Sequence, residues 1–384
     1  MEKFMTAIKN VVLIMKDHLI PDAVLFMEKG EISAFGEMTQ LEIPKECEKV
    51  IDGQGAFLGP GFIDIHTHSD GEVFFTEDPV KAADHHLKHG TTTVLPALYF
   101  SMDAKEYVEA ISILREAMKD PACANISGIY MEGPYLNPAF GCDRESNPWR
   151  GPIVRDDYMP VIEAAWDLAK VWALAPEREH ILDFVLDVKK KNPAAVLAVA
   201  HSEATPRQVE ALMPYGLRIG THHTNATGTL EKYPECRGVC VDEAVNYNDG
   251  IYAELICDSK GIHVDPYMLR LVRKIKGDDR IILVSDAYAC DGPIPPGYEG
   301  VYDINFDYTG EIAGSKMTLD IACRNMMKHT GASIVDVFRF ASYNPACAVG
   351  FYDRGEIAVG KRADLLVVDH NITIKNVILK GEMQ

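Results

Sequence analysis

The sequence lacks any long uninterrupted apolar run. A membrane-spanning helix needs roughly 18 consecutive apolar residues, and no stretch of these 384 residues reaches that length. The opening segment also lacks a sustained apolar core followed by a small-residue cleavage site, because Lys9, Lys16 and Asp17 interrupt it. We therefore predict a cytoplasmic protein that has no membrane partner.

Positive charge is scarce. Lysine and arginine number 38 against 57 aspartates and glutamates, which gives a formal net charge of −19. A polyanion such as nucleic acid would meet net repulsion, so we predict no nucleic-acid partner. A phosphate-bearing ligand would need a basic site of its own.

The sequence also lacks a disulfide framework. Its nine cysteines are odd in number and irregularly spaced, which is typical of reduced thiols in a cytosolic enzyme. Cys236 and Cys240 have the spacing of half a zinc site, but no second pair follows nearby, so we interpret them as ordinary thiols. Apolar residues at 47% and charged residues at 25% are the balance of a globular protein with a large core.

Two kinds of pattern divide the chain. Residues 1–57 and 354–384 contain short β-rich runs separated by glycine turns, which predicts a small β-sandwich domain built from both chain ends. Residues 58–353 alternate short apolar strands with longer amphipathic segments. Strand and helix in alternation predict parallel strands with crossover helices, so we expect an α/β fold whose main domain is a (β/α)₈ TIM barrel.

Polar residues stand where the apolar strands of the predicted barrel stop, and catalytic groups of such barrels lie at these carboxyl ends. They are His66, His68, Glu132, His201, His222, His223 and Asp286. Taken singly, each has an ordinary explanation, such as a core histidine or a capping carboxylate. Their joint occurrence at five strand ends favours a metal centre.

The residue types suit that chemistry. His66 and His68 are separated by one residue, so on a strand both side chains lie on the same face and can share one ion. His223 neighbours His222 and should point to the opposite face. A carboxylate such as Asp286 can bind a metal and also move a proton.

Three further histidines, His85, His86 and His89, occupy a predicted helix that leads into the next strand. The carboxyl end of that helix lies at the face of the barrel opposite the chemistry. We expect these histidines at the surface.

The sequence resembles the amidohydrolase superfamily and, within it, the N-acetylglucosamine-6-phosphate deacetylase family. The resemblance covers nearly the whole chain and rests on PGFIDIHTH, HGTTTVLPAL, MEGPYLNP, LAPE, AHSEA, THHTNA, SKGIHVDP, the SDA strand end and the closing NPACAVGF and RGEIAVGKRADLLVVD. The segments EGPYLNP, HHTNA and GIHVD point to the deacetylase branch.

The resemblance implies a site and a reaction. Glu132, His201 and His222 would bind one divalent ion, and His66 and His68 match the form of the family that has a second. Asp286 would be a further ligand and the general acid/base, and His263 would polarise the amide carbonyl. The metal, in one or two ions, would be zinc, iron, manganese, cobalt or nickel. The family also suggests a homodimer.

The implied substrate-binding residues are Asn225, Ala226, His263, Asp143, Lys232 and Arg237. The last two stand where the family places its phosphate-binding arginine. The sequence departs from the family in having Tyr130 and Met131 where His-Leu usually precedes the glutamate, and Gly141, Cys142 and Asp143 where a Gly-Ala/Thr-His run is common.

We therefore predict metal-dependent hydrolysis of an N-acetyl amide through a metal-activated water. The first candidate substrate is N-acetylglucosamine 6-phosphate, which would yield glucosamine 6-phosphate and acetate. Two alternatives remain open: another N-acyl substrate, such as a different N-acetylamino sugar, an N-acyl amino acid or a dipeptide, and a non-catalytic barrel scaffold.

Overall fold

A computed structural model describes residues 5–142, 144–228 and 231–384, with Glu231 described by its backbone alone. The strands are β1 (Met5–Ile14), β2 (Leu19–Glu28), β3 (Glu31–Glu37), β4 (Lys49–Pro60), β5 (Phe62–Thr67), β6 (Thr91–Tyr99), β7 (Ile129–Glu132), β8 (Ala169–Leu174), β9 (Val196–Val199), β10 (Leu217–Gly220), β11 (Glu231–Tyr233), β12 (Cys236–Arg237), β13 (Tyr252–Ile256), β14 (Ile281–Val284), β15 (Ile304–Phe306), β16 (Ile312–Ser315), β17 (Leu365–Val368), β18 (Ile374–Leu379) and β19 (Glu382–Met383).

The α-helices are α1 (Pro79–Lys88), α2 (Ala104–Ala117), α3 (Arg155–Ala165), α4 (Ile181–Lys191), α5 (Pro206–Leu212), α6 (Val241–Tyr247), α7 (Pro266–Lys276), α8 (Leu319–Thr330), α9 (Ile334–Phe338) and α10 (Asn344–Val349). Short 3-10 turns occur at Pro121–Cys123, Arg144–Ser146 and Met213–Tyr215, and a π-helical turn at Arg339–Tyr343. Within the described residues, none of the helices has both the length and the apolar character needed to cross a membrane.

Eight parallel strands form the main sheet, in the order β5-β6-β7-β8-β9-β10-β13-β14. The circle closes where the backbone N–H of Asp286, just after β14, donates to the carbonyl of His66 on β5 at 3.0 Å. A helix follows each strand, from α1 to α8, as the right-handed β-α-β crossover requires. The (β/α)₈ barrel predicted from the sequence is confirmed.

Local sequence explains these elements. All nine positions of β6 are buried, which is typical of a strand covered on both faces. Helix α7 begins at Asp265, whose side chain accepts the N–H of Tyr267, and Gly277 follows its last residue. Apolar side chains such as Leu95 and Val171 fill the barrel, so its interior is packed rather than open.

The two chain ends form a second sheet, in the order β19-β18-β17-β4-β1-β2-β3. This sheet curls over its own core, since Ile32 N–H donates to the Lys361 carbonyl and Ala363 N–H to the Gly30 carbonyl, each at 2.8 Å. The predicted β-layer from both ends is therefore present. The predicted division at residue 57 falls within β4, and the exact domain boundaries stay a prediction.

Three insertions build the rim above the barrel. They are residues 133–142 and 144–154 after β7, the β11–β12 hairpin between β10 and α6, and the β15–β16 hairpin between β14 and α8. Loops at the carboxyl ends of barrel strands are where these folds bind their substrates.

One expectation about the histidines of α1 is wrong. His86 is fully buried, stacks on Phe75 and lies 2.8 Å through Nε2 from the carbonyl of Ser69. Burial lowers the pKa of His86 to about 4, so this histidine is a neutral core residue. His85 and His89 are partly exposed.

Candidate metal centre and active site

Six of the predicted residues meet above the packed interior of the barrel. His66 lies near the end of β5 and Glu132 ends β7, while His68, His201, His222 and Asp286 follow β5, β9, β10 and β14. The last three have left-handed backbones, with φ of 41° at His201, 29° at His222 and 46° at Asp286. Side-chain-bearing residues rarely adopt this conformation, and it is characteristic of functional sites.

The six side chains form two groups. One contains His66, His68 and Asp286, and the other contains Glu132, His201 and His222. Within each group the possible ligand atoms all lie within 4.8 Å of one another. Five of the six residues are buried, so water does not compete for most of these atoms.

Glu132 joins the two groups. Its Oε1 lies 2.9 Å from His201 Nε2 and 3.3 Å from His222 Nε2. Its Oε2 lies 3.2 Å from His68 Nε2 and 3.6 Å from His66 Nε2. The carboxylate therefore presents one oxygen to each group, which is the geometry of a bridging ligand.

Electrostatics keep this bridge ionised. Burial opposes the charge of Glu132, but the charge of His66 and the hydrogen bonds of His201 and His222 outweigh it. The pKa of Glu132 consequently lies well below its usual range. Burial also opposes ionisation of Asp286, and His68 and His66 reverse that effect, so the pKa of Asp286 is lowered too.

The arrangement of several buried atoms suits binding to a metal ion better than hydrogen bonding among themselves. His66 Nε2 and Glu132 Oε2 have no hydrogen-bond partner within the described part of the chain. His201 Nε2 and His222 Nε2 approach to 3.1 Å while both face the same oxygen of Glu132. Imidazole and carboxylate donors arranged in this way suit borderline divalent metals.

His263 lies beside this centre and is held by Asp258. Its Nδ1 is 3.3 Å from Asp258 Oδ2, while its Nε2 is buried with no partner among the described residues. Burial raises the pKa of Asp258, but His263 and the backbone N–H groups of Ile262 and His263 lower it to about 2. Asp258 is therefore a fixed anion that leaves His263 Nε2 free for a ligand.

A cavity of about 510 Å³ opens over both groups. Its lining includes His263, Asn225, Ala226 and Asp286, so the structure brings these predicted residues together with the possible metal ligands. Asn225 is fixed by donating from Nδ2 to the His263 carbonyl at 2.9 Å. His223 is not part of the lining; its Nε2 lies 3.1 Å from Asn246 Oδ1 on the other side of the strand end.

The basic residues predicted for phosphate are not at this cavity. Lys232 and Arg237 lie on the exposed β11–β12 hairpin, and Arg237 donates to Glu243 Oε1 at 2.8 Å. Within residues 5–142, 144–228 and 231–384, the one lysine or arginine that lines the cavity is Arg144, which donates to both oxygens of Glu311 at 2.7 and 3.0 Å. Asp143 lies outside the described residues.

Sequence reasoning missed several residues of the site. Tyr99, Arg144, Tyr288 and Glu311 line the cavity. Tyr99 ends β6, and the other three come from loops with no recognisable spacing. Glu254 is different, because it is a carboxylate in the otherwise apolar strand β13 and is fully buried. A charged residue inside an apolar strand was a usable signal.

Comparison with known proteins shows which proteins the chain resembles. The amidohydrolase family model matches residues 249–383. An N-acetylglucosamine-6-phosphate deacetylase of Lysinibacillus sphaericus is 26% identical over 403 residues, covering 98% of this chain and 97% of the relative. An N-acetylgalactosamine-6-phosphate deacetylase of Escherichia coli O157:H7 is 26% identical over 351 residues, covering 87% of this chain and 89% of the relative.

The crystal structure of N-acetylglucosamine-6-phosphate deacetylase from Pasteurella multocida superimposes with a TM-score of 0.86 at 28% identity, covering 99% of this chain and all of that one. Barrel, ligand groups and the partial family match agree: the chain is similar to the amidohydrolases and is a hydrolase. This assignment excludes the scaffold alternative. Over its whole length, it is similar to the amino-sugar-phosphate deacetylases.

Proposed function

We propose that this amidohydrolase removes the acetyl group of N-acetylglucosamine 6-phosphate and releases glucosamine 6-phosphate and acetate. The main structural support for this reaction is the pair of possible metal-ligand groups joined by Glu132, with Asp286 and His263 lining the same cavity. The names of the full-length relatives support the substrate class.

We assign one or two divalent ions to this centre, drawn from zinc, iron, manganese, cobalt and nickel. His66, His68 and Asp286 would hold one ion, and His201 and His222 the other, with Glu132 between them. When bound, such ions lower the pKa of a water molecule and polarise a carbonyl group.

Asp286 is the proton carrier in this proposal. Its Oδ1 lies 3.4 Å from His68 Nε2, and the residue lines the cavity. The lowered pKa leaves a carboxylate that can accept the proton of the attacking water. The same group then delivers that proton to the amide nitrogen, so that the C–N bond breaks and the amine leaves.

His263 assists at the other end of the amide. When both ring nitrogens carry a proton, Nδ1–H is held by Asp258 and Nε2–H can donate to the carbonyl oxygen as negative charge develops there. One such donor contributes on the order of 3 kcal/mol to catalysis. Asn225 and Ala226, which line the cavity, would contact the sugar.

The phosphate of the proposed substrate is assigned from the family resemblance. Asp143, Lys232 and Arg237 remain proposals from the family resemblance. Arg144 reaches the cavity, but Glu311 already neutralises it. This neutral pair favours a second candidate, an N-acyl substrate without a phosphate, such as a free N-acetylamino sugar.

Two further proposals are a homodimer, which rests on the same resemblance, and a cytoplasmic location, which rests on the irregularly spaced cysteines. Size measurement in solution tests the first of them.

An acetate-release assay decides between the substrates. We would compare N-acetylglucosamine and N-acetylgalactosamine, each with and without a 6-phosphate, together with N-acetyl amino acids. A kcat/KM at least tenfold higher for N-acetylglucosamine 6-phosphate than for every other compound supports the first candidate. Equal use of the free sugar supports the second, and no acetate from any compound contradicts both.

A further inference from the structure

We infer that Glu254 is a positioning residue for the metal centre, acting through His66 and His222 without binding an ion itself. The inference rests on the proposed metal-dependent function. Glu254 belongs to β13 and is fully buried next to the site.

The contact with His66 fixes the orientation of that ring. Glu254 Oε2 lies 3.3 Å from His66 Nδ1, whereas His66 Nε2 faces Glu132 Oε2 at 3.6 Å and Asp286 Oδ1 at 3.8 Å. The two nitrogens are on different edges of the imidazole, so Glu254 lies behind the ring and the possible ligands lie in front. A proton held on Nδ1 leaves Nε2 as the free donor atom for an ion.

The same oxygen also contacts the second ligand group. Glu254 Oε2 accepts the backbone N–H of His222 at 3.3 Å. The carbonyl of Glu254 accepts the backbone N–H of His223 at 2.7 Å. Because Oε2 accepts from a backbone donor, it is the accepting partner of His66 as well, and the tautomer of His66 follows from that.

Tyr130 completes this support. Its ring stacks on His66 with centroids 4.4 Å apart and an interplanar angle of 17°, and its hydroxyl lies 2.7 Å from Thr221 Oγ1, beside His222. Tyr130 stands where the family usually has histidine. The departure noted in the sequence therefore falls behind the metal centre, on the side away from the cavity.

The two contacts of Glu254 differ in kind. For His66 it holds the side chain that carries the donor atom, and for His222 it holds only the backbone, whose left-handed φ of 29° is also fixed by its place after β10. Loss of Glu254 should therefore loosen the ion held by His66, His68 and Asp286 much more than the ion held by His201 and His222.

The test is metal stoichiometry of the full-length chain by equilibrium dialysis against buffered Zn²⁺. Glu254→Gln should lower the affinity for one ion by about 10- to 100-fold, as is typical for partners of metal-binding histidines. Where the wild-type chain holds two ions, the variant should hold one. Glu254→Leu, which removes the acceptor altogether, should show the larger loss.

A matched control removes the partner of a histidine that faces away from the centre. Asn246→Ala takes the hydrogen bond from His223 and should leave both Zn²⁺ affinities unchanged. Melting temperatures with and without Zn²⁺ separate a positioning role from a general contribution to stability. Zn²⁺ should raise the Tm of the Glu254→Gln variant less than it raises the Tm of the wild type. The Tm without metal should change by a smaller amount.

Two ions bound to Glu254→Gln with wild-type affinity would overturn the inference. The loss of both ions together would also overturn it. Where the wild-type chain holds a single ion, binding of that ion to the variant with unchanged affinity would overturn it too. A wild-type chain that binds no Zn²⁺ and releases no acetate would instead contradict the proposed function.

Discussion

The floor and the rim of the cavity hold their side chains in different ways. The floor residues stand at the ends of barrel strands and are buried, with His66 at 0% and Glu132 at 2% exposure. On the rim, Arg144 belongs to a short turn after β7, while Arg237 lies outside the cavity on a surface hairpin, where its side chain is 83% exposed. The barrel thus fixes the proposed reactive groups, while loops that can vary without disturbing it would present the groups that recognise the substrate.

Charges on the floor are shielded from solvent, whereas charges on the rim are exposed to it. Buried charges on the floor act on one another with little screening, and the pKa values of His66 and Glu132 are strongly shifted as a result. The Arg144–Glu311 pair on the rim is partly exposed and open to salt. Substitutions on the floor should therefore change the reaction, and substitutions on the rim should change the choice of substrate.

The largest effect should follow Glu132→Gln. The amide cannot offer a charged oxygen to each ligand group, so metal content should fall together with activity. Several kcal/mol of lost metal assistance correspond to a decrease in kcat/KM of about 10³-fold or more. Elemental analysis and acetate release measure the two quantities.

The control for this variant is the wild-type chain stripped by a chelator and reloaded with Zn²⁺. Removal of the metal should abolish activity, and reloading should restore it in the wild type but not in Glu132→Gln. Full activity with stoichiometric metal in the variant would show that the glutamate is structural.

The next largest effect should follow Asp286→Asn. The variant keeps the size of the side chain but cannot carry a proton, so kcat should fall at least ~10²-fold while the fold is preserved. Steady-state kinetics and circular dichroism would measure both. Near-normal turnover would mean that another group moves the proton.

Much of the floor could be predicted because its residues interrupt apolar strands. His66, His68, Glu132, His201, His222 and Asp286 were all visible as polar residues at strand ends, and a barrel brings such ends together whatever the loops do. The β-layer from both chain ends followed from its turn and strand pattern.

The remaining residues could not be predicted because their positions depend on tertiary contacts. The pairing of Arg144 with Glu311 joins two loops 167 residues apart. Periodicity placed His86 on a helix but could not show that its ring turns inward onto Phe75. Glu254 gave a signal, a carboxylate within an apolar strand, but only the structure shows that it faces His66.

A smaller effect should follow Asp258→Asn, which changes the partner of the cavity residue His263. The variant still contacts the backbone N–H groups of Ile262 and His263 but no longer presents a charge to His263 Nδ1. We expect kcat to fall about tenfold, less than the 10²- to 10³-fold typical of losing an oxyanion donor outright. KM should change little. An effect confined to Tm would show that Asp258 only stabilises its loop.

The smallest effect should follow replacement of Lys232 and Arg237 by alanine. Both are exposed on the β11–β12 hairpin, so solvent and salt screen any contact they make with the phosphate. The double variant should therefore raise KM only a few-fold. The kcat should stay unchanged, because a remote charge supplies binding that the ground and transition states share. The effect should shrink as salt is added and be absent with the unphosphorylated sugar. Arg144→Gln is the matched comparison, since that residue lines the cavity. If Arg144→Gln raises KM for the phosphorylated sugar and the double variant does not, the phosphate depends on the arginine of the cavity and the family-based assignment of Lys232 and Arg237 fails.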